Sequence, residues 1–186
     1  MKRKRSLQPV RKMKPAFLVF CEGETEEAYL NFLRRQYRLP IKVISHVTGL
    51  NISPKIIGKQ VKIVQLDKRD IITTFLMYDL DVVDVSRKIS VCYESINVSS
   101  NPCTELWFLL HHIDQTGEIS TTSCISSLQK IPEWSSYKKG VFSYKQKQIL
   151  WEKRMDASHR AKKLKELLNP SSAVYRLIDA MEEVKR

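Results

Sequence analysis

Apolar positions along this chain fall into two rhythms. Residues 16–21, "AFLVFC", form an unbroken apolar run of strand length, the pattern of a strand buried on both faces of a parallel sheet. Tyr29, Phe32 and Leu33 then recur on one helical face, and the pattern predicts a helix that runs to about Tyr37. Thr25 supplies a capping hydroxyl for it, and Glu26 and Glu27 suit its positive N-terminal end. Pro40 resets the chain, and alternation over residues 41–47 predicts a second strand. Ser53-Pro54 is a strong helix start, continued by Ile56, Ile57, Val61 and Val64. Residues 72–81, "ITTFLMYDLD", predict a third strand ending in acids, and residues 89–96, "ISVCYESI", a fourth. Strand, helix, strand, helix, strand, strand over residues 15–100 predicts an α/β core with a mostly parallel sheet flanked by helices.

From residue 101 the rhythm is helical. Asn101-Pro102 opens "CTELWFLLHH", which is apolar nearly all round and is therefore expected to be buried, with Asn101 as the cap. Helical patterns follow at 120–130, 145–168 and 172–184, the last after Asn169-Pro170-Ser171-Ser172. Residues 101–186 are expected to pack on the sheet as part of the same globular unit. The chain contains no internal repeat and no low-complexity tract.

Charge changes the picture. The net charge is +12, and residues 1–14, "MKRKRSLQPVRKMK", carry seven Lys/Arg and no acid, so the remainder is near +5. A basic arm beside a basic body points to a polyanion, most simply nucleic acid; a merely solvated tail is the plainer alternative. The arm has no aromatic or leucine face for a membrane surface. No run approaches the length of a membrane span and the first residues have no apolar leader core, so a cytoplasmic location is expected. Cys21, Cys92, Cys103 and Cys124 never form a CxxC pair and are read as reduced core thiols in preference to a zinc site.

Against that basic background, Glu22, Glu24, Glu26 and Glu27 stand within six residues, directly behind the first strand. Function gathers at the carboxyl ends of strands in open parallel sheets. The first strand delivers Glu22 there and the third delivers Asp79 and Asp81, with Asp84 just beyond. If those strands are neighbours, the carboxylates meet. Two of them about 5 Å apart repel by roughly 3 kcal/mol at an effective dielectric near 20. A cation offsets such a cluster, and oxygen donors without histidine or thiolate favour Mg²⁺ or Mn²⁺. The alternative is that the glutamates merely serve the helix dipole. A phospho-receiver domain expects a lysine late in the sheet, and none stands out.

Glu22-Gly23 after a first strand with Asp79-x-Asp81 after a later one resembles the Toprim domain. The fuller resemblance is to the RloB-like family, a Toprim-type group. "CEGETEEAYL" is similar to its opening CEG-x-TE segment, "SNPCTELWFLLHH" (100–112) to its SNPC-x-ELW-LLH signature, and "NPSSAVYRLIDAM" (169–181) to its closing segment. The resemblance spans about residues 16–182. It implies a Toprim-like core and a Mg²⁺-dependent nuclease, on RNA or DNA, in restriction-linked or antiphage defence, often beside an ABC/AAA-type ATPase. Carried over by position, it implies Glu22 as general acid/base or metal ligand, Asp79 and Asp81 as ligands, and Glu26 as a second ligand. Glu27 stands where the family often has proline, and Leu80 and Val82 flank Asp81 where polar residues are common, which opens the third acidic place to Asp84. The rival expectation is a non-catalytic module that senses a nucleotide or docks on an ATPase.

Glu105 falls among Leu106, Trp107, Phe108 and Leu109, and a carboxylate there needs a partner, either a core arginine or the acid site itself. His111 or His112 could assist proton transfer; a capping or surface role is the alternative. Downstream, Tyr137, Tyr144 and Trp151 interleave with Lys138, Lys139, Lys145, Lys147, Lys153 and Arg154, and Arg160 extends the basic run. Lysines hold phosphates and aromatic faces stack unpaired bases. An amphipathic helix with aromatic core positions would look the same.

Overall fold

A computed structural model describes residues 16–39, 41–45, 51–64, 71–81 and 83–185. The basic arm at 1–14 lies outside the described residues, as do the last two positions of the strand expected at 41–47. Four strands, β1 (Ala16–Cys21), β2 (Ile41–Ser45), β3 (Ile72–Met77) and β4 (Ile96–Asn97), form one sheet in the order β2-β1-β3-β4. All three pairings are parallel. β1 is central and buried on both faces, which is why its sequence is apolar without alternation. Helix α1 (Glu24–Tyr37) follows β1, α2 (Pro54–Val64) follows β2, and α3 (Val83–Ser90) follows β3. The α/β reading therefore holds, and β1 and β3 are neighbours, with Cys21 level with Met77.

Alternate side chains of β1 serve two cores. Leu18 and Phe20 face a smaller cluster with Ile57 of α2 and Val85 and Ile89 of α3. Phe17, Val19 and Cys21 face a larger one shared with α1 and with the helical half. That half comprises α4 (Glu105–Leu109), α5 (Thr121–Gln129), a 3₁₀ turn (Pro132–Trp134), α6 (Tyr144–Glu152), α7 (Arg154–Lys162) and α8 (Tyr175–Lys185). Trp107, Phe108 and Trp134 are wholly buried, and Phe108 stacks on Trp134 with ring centroids 5.5 Å apart. Because Phe17 of β1 and Met181 of α8 belong to one cluster, the sheet and the helical half share a core.

Several sequence expectations need correction. Residues 89–96 are not a strand: Val85, Ile89 and Cys92, at spacings of four and three, are the buried face of α3 and its exit, and only Ile96–Asn97 pairs. β3 stops at Met77 and not at residue 81, although Asp79 continues alongside Ser100 as a single bridge. Thr25 does not cap α1; Gly23 occupies the N-cap and makes no side-chain bond. Asn101 does not cap α4 either. It lies in β5 (Ser100–Asn101), antiparallel to β6 (Ser171–Ser172), and its amide donates to the Leu167 carbonyl at 2.9 Å. Thr104 takes the N-cap, and α4 is only five residues long. The helix expected over 145–168 breaks at Lys153 into α6 and α7 and ends at Lys162. Among the described residues, no helix is long and apolar enough to cross a membrane.

Candidate active site

The parallel register of β1 and β3 brings their carboxyl ends to one edge, so Glu22 and Asp79 emerge side by side. Here the chain from β1 turns directly into α1. Gly23 has no side chain at the turn, and a Cβ there would sit 2.8 Å from Oε2 of Glu26, which folds back over it. The result is an open pocket of about 320 Å³ lined by Glu22, Glu24, Glu26, Asp79, Glu105 and Lys139, with Gly23 and Thr25.

Two of the acids, Asp79 and Glu105, are held by specific neighbours. Oδ1 of Asp79 accepts two hydrogen bonds from Thr104, from its backbone N–H at 2.8 Å and its hydroxyl at 2.9 Å. Glu105 is 1% exposed, and its Oε1 accepts from the Tyr137 hydroxyl at 2.9 Å, with Nζ of Lys139 4.0 Å away. Its partners are thus a phenol and a lysine, not the core arginine considered above. Tyr137 is in turn packed against Phe108, Trp134 and Phe142. Glu26 is buried although it carries a carboxylate. Oγ1 of Thr25 points across the pocket wall and accepts from the Gly140 backbone at 3.1 Å, fixing the loop that carries Lys139.

Crowding these acids in a partly dry site has an electrostatic signature. Burial pushes the Asp79 carboxyl up to about 8; Glu26 and Glu105 add to the rise, and the two Thr104 bonds oppose it. Glu22 is also raised, by burial first and then by Glu26 and Asp81, against a lowering by Lys139. Burial disfavours the Lys139 ammonium, but Glu105, Asp79 and Glu26 outweigh that and raise its pKa. The pocket is a site short of positive charge.

The expected residues fall into two groups. Glu22, Glu26, Asp79 and Glu105 converge, and Lys139 stands on the lip. Asp81 is exposed at the rim, near enough to act on Glu22, and its Oδ2 accepts from the Thr121 hydroxyl at 3.2 Å. Asp84 lies on the first turn of α3, exposed and outside the pocket lining. His111 is fully buried away from the acids, with Nδ1 2.8 Å from the Trp107 carbonyl; burial first, with smaller contributions from His112 and Arg160, lowers its pKa to about 3. It is a neutral core residue. His112 accepts from the Trp134 indole at 2.9 Å.

Among the basic residues, Lys138, Lys139 and Lys145 are exposed and Lys147 is half-buried. Arg154 is engaged: its guanidinium pairs with Glu182 at 2.8 Å and lies 4.0 Å over the Trp151 ring. Arg160 donates to the Leu110 carbonyl at 2.7 Å and faces Asp114. Sequence reasoning missed Thr104 as part of the site, gave Tyr137 a stacking role in place of its bond to Glu105, and had Gly23 only as part of the Glu22-Gly23 motif. Only Gly23 carried a local signal, a glycine wedged between acids.

Fold and pocket together define a class: an α/β protein with carboxylates gathered at the carboxyl edge of a parallel sheet. The chain belongs to the RloB-like protein family, whose model matches residues 17–181. No curated protein and no solved structure matches it.

Proposed function

We propose that this protein is a divalent-metal-dependent phosphodiesterase acting on nucleic acid. The observation that carries this reading is the convergence of Glu22, Glu26, Asp79 and Glu105 on one open pocket beside a lysine. Among the described residues, no three His, Cys, Asp or Glu side chains are already drawn into a metal cage. Mg²⁺ does not require one, since it keeps several waters and takes one or two carboxylates together with substrate phosphate. The donors are all oxygen, which suits Mg²⁺ or Mn²⁺, and a cation beside Asp79 would offset the crowding of Glu26 and Glu105 around it. Asp79, at the tip of β3, is the ligand of this reading, with Glu26 supporting it and Asp81 at the rim.

A bound divalent ion would supply Lewis-acid stabilisation of phosphoryl charge and acidify a bound water. The chain's own residues do the rest. Thr104 orients Asp79, and Tyr137 orients Glu105. Lys139, 61% exposed on the lip, is placed to hold a phosphate oxygen. Glu22, partly buried, is placed to accept or return a proton at the pocket mouth. The resemblance to Toprim-type defence proteins supports a place in bacterial antiphage or restriction-linked defence beside an ATPase.

The test uses purified protein with tRNA, single-stranded RNA, single-stranded DNA and duplex DNA, each with Mg²⁺ or Mn²⁺. Cleavage should vanish with chelator and in Glu22→Gln, while the variant folds and binds as the parent does. Clean binding without products under every condition would overturn the hydrolase and favour a non-catalytic module.

A further inference from the structure

A second charged feature lies along the other end of α1. Ala28, Asn31, Arg34 and Arg35 of α1 and Lys147 of α6 line an open cleft of about 560 Å³. Its lining also includes Gln36 and the edge of Phe32, and no carboxylate. Arg34 and Arg35 suit the negative end of the α1 dipole. That accounts for two cations on one helix. It does not account for Lys147, which comes from another helix to face the same space. Among the described residues, no carboxylate pairs with Arg34, Arg35 or Lys147, whereas Arg154, Arg160, Lys162 and Arg176 all have acid partners.

The cleft and the acidic pocket share no lining residue but follow one another along α1. Gly140 touches Thr25 at the start of α1, Lys147 faces the middle and later turns, and Trp151 packs edge-on against Tyr37 at the end, with centroids 5.0 Å apart. Residues 140–151 therefore run alongside α1 in the same direction. Their seam starts at the pocket, where Lys139 stands, and leads to the arginines. From Glu24 to Arg34 the helix advances about 15 Å. At ~3.4 Å per nucleotide of a stacked strand, that is room for roughly four phosphates. Tyr144, 84% exposed and one turn before Lys147 on α6, offers an aromatic face beside the seam.

We infer that the α1/α6 seam is a track for an unpaired polynucleotide strand, with Arg34, Arg35 and Lys147 holding the phosphates that flank the one seated in the acidic pocket. This rests on the reading of that pocket as a nucleic-acid hydrolase site. Phosphate oxygens are the ligand chemistry, and Asn31 and Gln36 add amide donors that need no particular base.

The test separates binding from chemistry. Affinity for a labelled single-stranded oligonucleotide is measured by anisotropy in chelator, across a salt series, for the parent, Arg34→Glu/Arg35→Glu, and Lys59→Glu/Lys62→Glu. The last pair changes net charge equally but sits exposed on α2, which packs with the other core cluster. The track predicts a loss of about tenfold or more for the arginine variant. It also predicts a salt slope shallower by about 1.4, two phosphates at 0.7 each. The α2 variant should stay close to the parent. Unchanged affinity in the arginine variant, or an equal loss in both variants, overturns the track. Hydrolysis of a small phosphodiester, bis(p-nitrophenyl) phosphate, with Mn²⁺ reports the pocket alone. The arginine variant should hydrolyse it at the parental rate. If the parent binds the strand through the arginines yet cleaves nothing, the pocket reading fails and the track stands.

Discussion

Asp79→Asn should make the metal-free protein more stable at pH 8, although it removes a proposed ligand. The folded protein raises the Asp79 carboxyl from 3.8 to about 8, so between those values folding takes up a proton. By linkage, the stability this one group contributes is greatest below pH 4, falls as pH rises, and is lost entirely above about 8. At about 1.4 kcal/mol per pH unit, the ceiling on that loss is roughly 6 kcal/mol. The pocket is open to water and Glu26 and Glu105 relax with it, so the expected gain is about 1–3 kcal/mol. Asparagine keeps Oδ1 as the acceptor of both Thr104 bonds and carries no charge, so little is lost in exchange. For a chain of this size, that gain raises Tm by about 3–10 °C. The assay is thermal unfolding by circular dichroism in chelator from pH 5 to 8.5. The variant should melt higher at pH 8, and the gap should narrow towards pH 5 and close only below about pH 4, where the parent's carboxyl is protonated in the folded and the unfolded chain alike. Added Mg²⁺ should raise the parent's Tm and leave the variant's nearly unmoved. A variant that melts at or below the parent at pH 8 without metal would refute the claim that the acids are crowded at this site.

Two further outcomes follow from neighbouring contacts. Tyr137→Phe deletes the hydroxyl 2.9 Å from Glu105 and should cost about 1–2 kcal/mol in urea unfolding, with weaker divalent binding read by the metal-dependent Tm rise. Arg154→Ala and Glu182→Gln should show a coupling of about 1–2 kcal/mol in a double-mutant cycle at pH 7. Burial works against the Glu182 carboxylate, but the Tyr37 and Arg154 hydrogen bonds outweigh it and lower its pKa. That coupling is therefore present above the ordinary carboxylate range and should disappear as pH falls through the lowered folded value.

How far the sequence could be read depended on the range of the interactions. β1 was legible because burial on both faces demands an unbroken apolar run, and α2 because Ser53 supplies the hydroxyl that accepts from Ile56. The meeting of Glu22 and Asp79 followed from two parallel strands being neighbours. Residues 89–96 misled because β-branched and aromatic residues look like a strand, while the buried positions Val85, Ile89 and Cys92 kept a helical period across the assumed boundary. Tyr137 and Trp151 were ambiguous for a similar reason. Alternation with lysines suits both a stacking surface and a buried edge, and contacts with Phe142 and Tyr37 decided for the latter. Thr104 and Tyr137 reach the acids from 25 and 32 residues away from their partners, a distance over which spacing carries no information.

The small ribbon of β5 and β6 has a consequence for when the pocket can exist. Asp79 is bridged to Ser100, Ser100 shares a hydroxyl contact of 2.9 Å with Ser172, and the Ala173 N–H closes on Ser99. The floor beneath the acids is thus latched by a segment synthesised some ninety residues later. In a nascent chain every proposed ligand therefore emerges before the clasp that sets Asp79 in place.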